Sequence, residues 1–121
     1  MAQYEHLPIY KKALDLAIYI EEVVKGFARY HKYTLGSELR AQSRAMVGLV
    51  IKANSQQDKA PTLRELRDLT EQFKVTLRIC KEVKAFRNFN SFTTALEEAL
   101  SLSRQNEGWL RSMQKARTPS P

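Results

Sequence analysis

The sequence is poor in the residues that several classes of protein require. Its 121 residues include one cysteine, Cys80, which excludes a scaffold held together by internal disulfides. Four glycines and four prolines argue against an all-β fold, because many short strands need many turns. The longest strongly apolar run, 45–51, is too short to cross a bilayer, and the first residues lack a signal-peptide pattern. We therefore expect a single cytoplasmic domain, 1–121, with no membrane partner.

Motifs for catalysis and metal binding are equally scarce. The only histidines are His6 and His31, and no serine or cysteine stands in a context typical of a catalytic triad. The chain has no Glu-x-x-His pair of the kind that di-iron bundles need. Its four glycines are too scattered to form a phosphate-binding loop. The sequence therefore predicts no enzymatic activity, no cofactor and no metal site.

What the sequence does contain is helical periodicity, in four segments. Apolar residues at alternating steps of three and four predict helices at about 8–27, 35–56, 62–87 and 91–115, followed by a disordered tail at about 117–121. Pro8 suits a first helical turn, and Thr62 with Glu65 forms a capping-box pattern. Short connections favour antiparallel neighbours. The predicted fold class is all-α, an antiparallel up-down-up-down four-helix bundle.

Several single residues have a structural and a functional interpretation. Gly48, inside the second helix, indicates close approach of a neighbouring helix more than a hinge. Cys80 falls on an apolar helix face and is interpreted as a small buried residue. Trp109 is interpreted as a packing residue at the end of the bundle, in preference to a platform for stacking bases. Asn90 or Ser91 is expected to cap the fourth helix.

Positive charge is in excess, with 20 Lys and Arg against 13 Asp and Glu, and a net charge of +7. At 100° per residue, five cations of the third helix fall within an arc of about 100°, roughly opposite its core side, and two more lie on the second helix. The predicted nucleic-acid-binding residues are Arg40, Arg44, Arg64, Arg67, Lys74, Arg78 and Lys81. A merely solvated basic face is the alternative. No recognised DNA- or RNA-binding motif is visible, so binding independent of base sequence is expected.

Apolar residues also exceed what one core stripe per helix needs. The surplus lies on the first and third predicted helices, at Leu14, Leu16, Ile18, Val75, Ile79 and Phe86. Because monomers rarely expose large apolar patches, this surplus predicts a homo-oligomer, for which closed cyclic symmetry is the default. The copy number does not follow from these residues.

Four segments of the chain closely resemble a known family. They are HLPIYKKALDLAIYIEEVVKGF, YTLGSELRAQSRAMVGLVIKAN, LRICKEVKAF and SRQNEGWLRS, and together the similarity runs from about residue 7 to 115. The family is the avd-like family, the accessory variability determinants of diversity-generating retroelements, within the ribosomal-intervening-sequence group of four-helix proteins. The most specific parts are YTLG at 33–36 and GWL at 108–110. One departure is the polar pair Asn106-Glu107, where a less polar lead-in to GWL is expected.

The resemblance implies more than the residues alone. It implies a basic, barrel-like homopentamer of four-helix bundles that binds the element's reverse transcriptase and also nucleic acid. Such proteins support mutagenic retrohoming, in which a template RNA is copied with adenine-directed errors. The function expected is therefore a non-catalytic accessory protein that holds template RNA or cDNA on a basic surface. The alternative is a structural or protein-interaction module with no nucleic-acid role, as the ribosomal-intervening-sequence relatives suggest.

Overall fold

The computed structural model describes residues 4–117, and in this part of the chain every regular element is helical. A 3-10 turn at Tyr4–His6 precedes the α-helices α1 (Pro8–Lys25), α2 (Arg29–Lys32), α3 (Leu35–Ser55), α4 (Ala60–Glu82) and α5 (Phe89–Arg117). The four long helices match the four predicted segments. The largest difference is in α4, which begins two residues earlier and ends at Glu82. Beyond residue 117, the predicted tail lies outside the described residues.

The four long helices pack as a ring of neighbours. α1 and α4 each pack against α3 and α5, which places α1 and α4 on a diagonal of the ring. Arg67, early in α4, contacts Glu107 late in α5, whereas Lys81, late in α4, lies over the ring of Phe92 early in α5. These two contacts make α4 and α5 antiparallel, and the other long helices are joined by short connections at 26–34 and 56–59. The fold is therefore an antiparallel four-helix bundle.

Each helix turns one apolar side toward a common core. Pro8 stands in the first turn of α1, as predicted, and the buried stripe that follows consists of Ile9, Ala13, Leu16, Ile20 and Val24. Cys80 is buried in the same core, as expected from its position on the apolar side of α4. Burying a Val, Leu or Ile side chain contributes about 1.5–3 kcal/mol, so this core dominates the stability of the bundle.

The bundle has two distinct ends. The end that we call the tryptophan end comprises the start of α1, the connection at 56–59 and Trp109, which packs against both clusters of buried residues. There the amide Nδ2 of buried Asn106 donates a hydrogen bond to the carbonyl oxygen of Leu63 at 2.9 Å. The opposite end, formed by the connections at 26–34 and 83–88, is called the basic end. Each residue of the polar pair before GWL thus makes at least one polar contact, because Glu107 is paired with Arg67.

The capping box predicted at Thr62 and Glu65 is wrong. α4 begins at Ala60, with Pro61 in its first turn, where a missing N–H costs no hydrogen bond. Thr62 is consequently inside the helix, and its hydroxyl donates to Oε1 of Gln56 instead of capping. The start of α5 is likewise earlier than predicted, and Oδ1 of Asn88, not Asn90 or Ser91, accepts the cap hydrogen bond from the Ser91 N–H at 2.9 Å.

The two glycines of α3 have opposite surroundings. The prediction of close approach at Gly48 is wrong, because Gly48 is exposed and a Cβ there would meet no atom within 4 Å. Close approach occurs at Gly36, where a Cβ would lie 2.7 Å from Cγ1 of Val24 and 3.2 Å from the carbonyl oxygen of His31. Gly36 therefore lets the start of α3 pack onto the end of α1.

The surplus apolar residues divide into buried and exposed ones. Leu16 is buried and Phe86 packs against the core, so neither contributes to an exposed patch. Val75, Ile79 and Val83, the residue that follows α4, are exposed at successive steps of four and form a stripe along the outer side of this helix. Among the described residues, no helix combines the length and the apolar character required to cross a membrane.

Candidate nucleic-acid interface

The two arginines predicted on the second helix are both ion-paired. Nε of Arg40 lies 3.1 Å from Oε1 of Glu21 on α1, and a terminal nitrogen of Arg44 lies 2.8 Å from Oε2 of the same carboxylate. One acidic side chain thus serves two cations in the seam between α1 and α3. Arg40 is half-buried there, whereas Arg44 is exposed and its guanidinium group remains accessible to solvent.

Arg67 forms the most regular ion pair of the bundle. Its Nε and a terminal nitrogen lie 2.7 Å and 2.9 Å from the two oxygens of Glu107, which is a bidentate contact across the α4–α5 seam. The hydrogen bond from Arg67 lowers the pKa of Glu107, and the hydrogen bond to Glu107 raises the pKa of Arg67. The charge of Arg67 is therefore engaged within the protein.

Lys74 and Lys81 lie closer to the core than the helical-wheel argument predicts. Lys74 is only 8% exposed, and its ammonium pairs with Glu71 one turn earlier. Lys81 is half-buried, with Nζ 5.1 Å from the centre of the Phe92 ring and 3.4 Å from the Glu82 carboxylate. Lys81 stands on the side of α4 that faces α5, and Lys74 lies two turns earlier on the same side of the helix.

Arg64 and Arg78 are exposed, and within the described part of the chain neither has an ion pair. They are fourteen residues apart on α4, or about 21 Å along its axis. Of the seven predicted binding residues, these two alone combine exposure with an unengaged charge.

The seven residues do not form one surface. Arg40 and Arg44 face the α1–α3 seam, whereas Arg67 and Lys81 face the α4–α5 seam, on the other side of the ring of helices. The prediction that the arc lies opposite the core side of α4 is also wrong, because α4 is covered by a neighbour on each of two sides. The arc begins at the α5 side and extends outward only as far as Arg64.

A second group of cations, which the sequence argument missed, lies at the basic end. Arg29, Lys32, Lys84 and Arg87 have no ion pair among the described residues. The segments 26–37 and 83–96 that carry them contain no Asp or Glu, and Glu82, two residues before Lys84, is paired with Lys81. The signal was available as the pattern of basic and aromatic residues in ARYHKYT and KAFRNFN.

Contacts between the two connections bring this group together. The side chain of Arg87 lies against Gly26, where its Cδ is 3.5 Å from the position of a Cβ. The rings of Phe27 and Phe86 meet edge to face with centroids 5.3 Å apart. Around this contact the rings of Tyr30, Tyr33 and Phe89 are exposed, Tyr30 by 83% and Phe89 by 67%. Exposed rings among unpaired cations are the combination that binds single-stranded nucleic acid.

The remaining polar groups offer little chemistry. Residues 4–115 contain no group of three His, Cys, Asp or Glu side chains that could hold a metal ion. Burial raises the pKa of the Cys80 thiol to about 11, so almost none of it is the reactive thiolate at neutral pH. An apolar pocket of about 260 Å³ at the tryptophan end is lined by Leu7, Pro8, Ile9, Gln105 and Trp109. Its lining offers no nucleophile or base.

Comparison with known proteins adds no identification. No protein-family model matches the chain, and no curated protein matches its sequence. The function is therefore inferred from the charges, contacts and exposed side chains of the described residues, together with the motifs of the sequence.

Proposed function

We propose that this chain is a non-catalytic accessory protein of a diversity-generating retroelement, which binds template RNA or cDNA and the reverse transcriptase during mutagenic retrohoming. The observation that carries the nucleic-acid part is the set of cations without an ion-pair partner in the described bundle. They include Arg29, Lys32, Arg64, Arg78, Lys84 and Arg87. The retroelement and its polymerase are supported by the resemblance of the YTLG and GWL segments.

The oligomer belongs to the same proposal. The exposed stripe of Val75, Ile79 and Val83 on α4 supports a contact with a second copy, because apolar stripes of this kind are normally covered. Ile18, which is 55% exposed, lies on α1, the helix diagonal to α4. A contact between two different patches on opposite corners is heterologous, and it forms a ring when the rotation from copy to copy closes. We propose such a ring, a pentamer by the resemblance, which would repeat the cations of each copy.

Charge reversal tests the basic surface. Arg64 and Arg78 are the targets of choice, because reversing buried Lys74 or ion-paired Arg67 would also disturb the fold. We expect Arg64→Glu with Arg78→Glu to weaken RNA binding. The fall of log affinity with log salt should become less steep, by roughly 1.4–1.8 units of slope. Fluorescence anisotropy across a salt series measures this slope, and circular dichroism checks that helicity is retained.

A control with the same change in net charge is Lys11→Glu with Lys25→Glu. Both lysines are on α1, exposed, and already paired with Asp15 and Glu22. If this control changes the salt slope as much as the α4 variant, binding follows net charge alone and the assignment of these residues is wrong. If the unmodified protein binds no RNA even at low salt, the nucleic-acid function itself is overturned.

The second candidate is a structural or protein-interaction module with no nucleic-acid role. The observation that favours it is the pairing of five of the seven predicted cations with the acidic residues Glu21, Glu71, Glu82 and Glu107. Under this alternative the protein should copurify with the reverse transcriptase without binding RNA. A reverse transcriptase gene and a repeat pair beside the coding sequence would favour the retroelement in either case.

The oligomer has its own test. Val75→Asp with Ile79→Asp introduces charge into the exposed stripe, where it costs little in a monomer but disrupts an apolar contact between copies. We expect the mass in solution, measured by light scattering, to fall to that of one chain while helicity is unchanged. An unchanged mass would show that the stripe on α4 is not the interface.

A further inference from the structure

A small pocket lies at the basic end, next to the connection between α4 and α5. Its volume is about 160 Å³, and it is lined by Lys81, Lys84, Phe86, Phe89 and Phe92. The centroids of the Phe86 and Phe92 rings are 5.8 Å apart, and those of Phe89 and Phe92 are 5.6 Å apart. Pockets that enclose whole ligands measure roughly 300–1,000 Å³, so this one suits a single ring system and not a complete small molecule.

The rim of the pocket is positively charged. Nζ of Lys81 stands over the Phe92 ring, and its one acidic neighbour, Glu82, is exposed at 3.4 Å, where an ion pair contributes little. Lys84 has no ion pair among the described residues, and neither does nearby Arg87. An aromatic wall beside two ammonium groups, of which that of Lys84 has no ion pair in the described chain, fits a ligand that has both a flat ring and a phosphate.

The backbone at Lys84 is unusual. Its φ of 60° lies in the left-handed region, and no other non-glycine residue of the described chain has a positive φ. The Lys84 N–H donates to the carbonyl oxygen of Lys81, and the Ala85 N–H to that of Cys80, which is the hydrogen-bond pattern that ends helices at a glycine. A lysine is therefore present where glycine would be favoured. Strained residues of this kind cluster at functional sites, and here the residue lines the mouth of the pocket.

We propose that this pocket binds one unpaired base of a single-stranded nucleic acid, with the base stacked on Phe89 and the adjacent phosphate held by Lys84 and Lys81. This inference rests on the nucleic-acid binding proposed above. It specifies in addition that the nucleic acid is single-stranded and that one of its bases occupies this pocket. Bases of a duplex are stacked inside the helix and cannot enter the pocket. Because every base has a flat face, the site accepts any base sequence.

Variants at Phe89 and Lys84 test the pocket in the full-length chain. We expect Phe89→Ser to weaken binding of a labelled single-stranded oligonucleotide by roughly 5- to 150-fold, the value of one stacked base. Phe89→Tyr, which keeps the ring, should restore the affinity. Lys84→Gly should also weaken binding of the single strand. The melting temperature of this variant protein should rise, because the residue in the left-handed region becomes glycine. Each oligonucleotide is measured as RNA and as DNA, beside a blunt duplex of the same sequence.

The controls separate this inference from the function on which it rests. Lys52→Ala removes one exposed charge far from the basic end, and it should weaken binding of the single strand less than Lys84→Gly does. If the protein binds single strands and Phe89→Ser binds them equally well, the pocket assignment is overturned and nucleic-acid binding stands. If the protein binds neither single strands nor duplex, both are overturned. If the protein binds neither nucleic acid but binds an acidic phenylalanine-containing peptide, and Phe89→Ser abolishes this peptide binding, the pocket belongs to a protein partner.

Discussion

The two ends of the bundle differ in the contacts and the exposure of their polar and aromatic side chains. At the tryptophan end, Nζ of Lys59 donates to the carbonyl oxygens of Ala53, Asn54 and Gln56, which satisfies the last turn of α3. Trp109 packs onto the core at the same end. At the basic end, Arg29, Lys32, Lys84 and Arg87 have no ion pair among the described residues, and three aromatic rings are exposed. The tryptophan end thus uses its side chains for stability, whereas the basic end leaves them available to a partner.

This difference determines which cations can bind a phosphate without first losing another partner. A cation that already has a carboxylate partner must lose that contact before it can bind a phosphate fully, which reduces the net gain. The candidate residues in the helix seams are of this kind, whereas those of the basic end are not. An excess of +7 in the chain therefore matters less than which cations are unpaired.

The largest expected effect on stability is that of Trp109→Ala. Removing a half-buried indole that contacts both core clusters should lower the free energy of unfolding by about 2–3 kcal/mol, below the value for a fully buried ring. Phe89→Ala at the basic end should cost less than about 1 kcal/mol, because most of that ring is exposed. Urea denaturation followed by circular dichroism compares the two. Equal losses would contradict the contrast between the ends, as would a loss of RNA affinity in Trp109→Ala.

Helix positions and core composition could be predicted well from the sequence. The apolar stripe of α1 and the burial of Cys80 follow from periodicity, because burial along a helix repeats with its own turn. Helix ends were harder to predict, since several residues near each end can cap. At α5, for example, Asn88, Asn90 and Ser91 are all good capping residues, and packing of the Phe89 and Phe92 rings accompanies the earliest start.

The candidate site was harder to predict than the fold. A helical wheel gives the angle of Lys74 on α4, but not how α4 is rotated within the bundle, where Lys74 is only 8% exposed. Ion pairs such as Arg40 with Glu21 join residues on different helices, so sequence spacing cannot reveal them. A helical wheel does not bring the cations of the basic end together, because they lie on two connections that meet only in the folded bundle.

The two glycines of α3 sharpen the comparison between the ends. Gly36→Ala should destabilise the bundle by about 1–3 kcal/mol, because its Cβ would be 2.7 Å from Val24 and 3.2 Å from a backbone oxygen of His31. Gly48→Ala, nearer the tryptophan end, is the matched control. It should stabilise the bundle by about 0.5–1 kcal/mol, since alanine favours helix and nothing lies within 4 Å. Thermal unfolding measures both, and a stabilised Gly36→Ala would show that the α1–α3 contact is loose.

The smallest expected effect concerns the ion pair between Arg67 and Glu107, whose carboxylate has a lowered pKa because Arg67 donates a hydrogen bond to it. A carboxyl group with a lower pKa in the folded state stabilises the fold above its ordinary pKa. That stabilisation is lost as the pH falls through the lowered value. Glu107→Gln should therefore be less stable than the unmodified protein at neutral pH, and the difference should shrink toward acidic pH.

Both side chains of this pair are partly exposed, so solvent and salt screen the interaction and the effect is small. Urea midpoints at low salt across the acidic range measure it, with Glu97→Gln as the control, because Glu97 is exposed and has no ion pair among the described residues. The control should show no such convergence. If the difference for Glu107→Gln stays constant with pH, the pair contributes no charge-dependent stability. Arg67 would then be as available to a phosphate as the cations of the basic end.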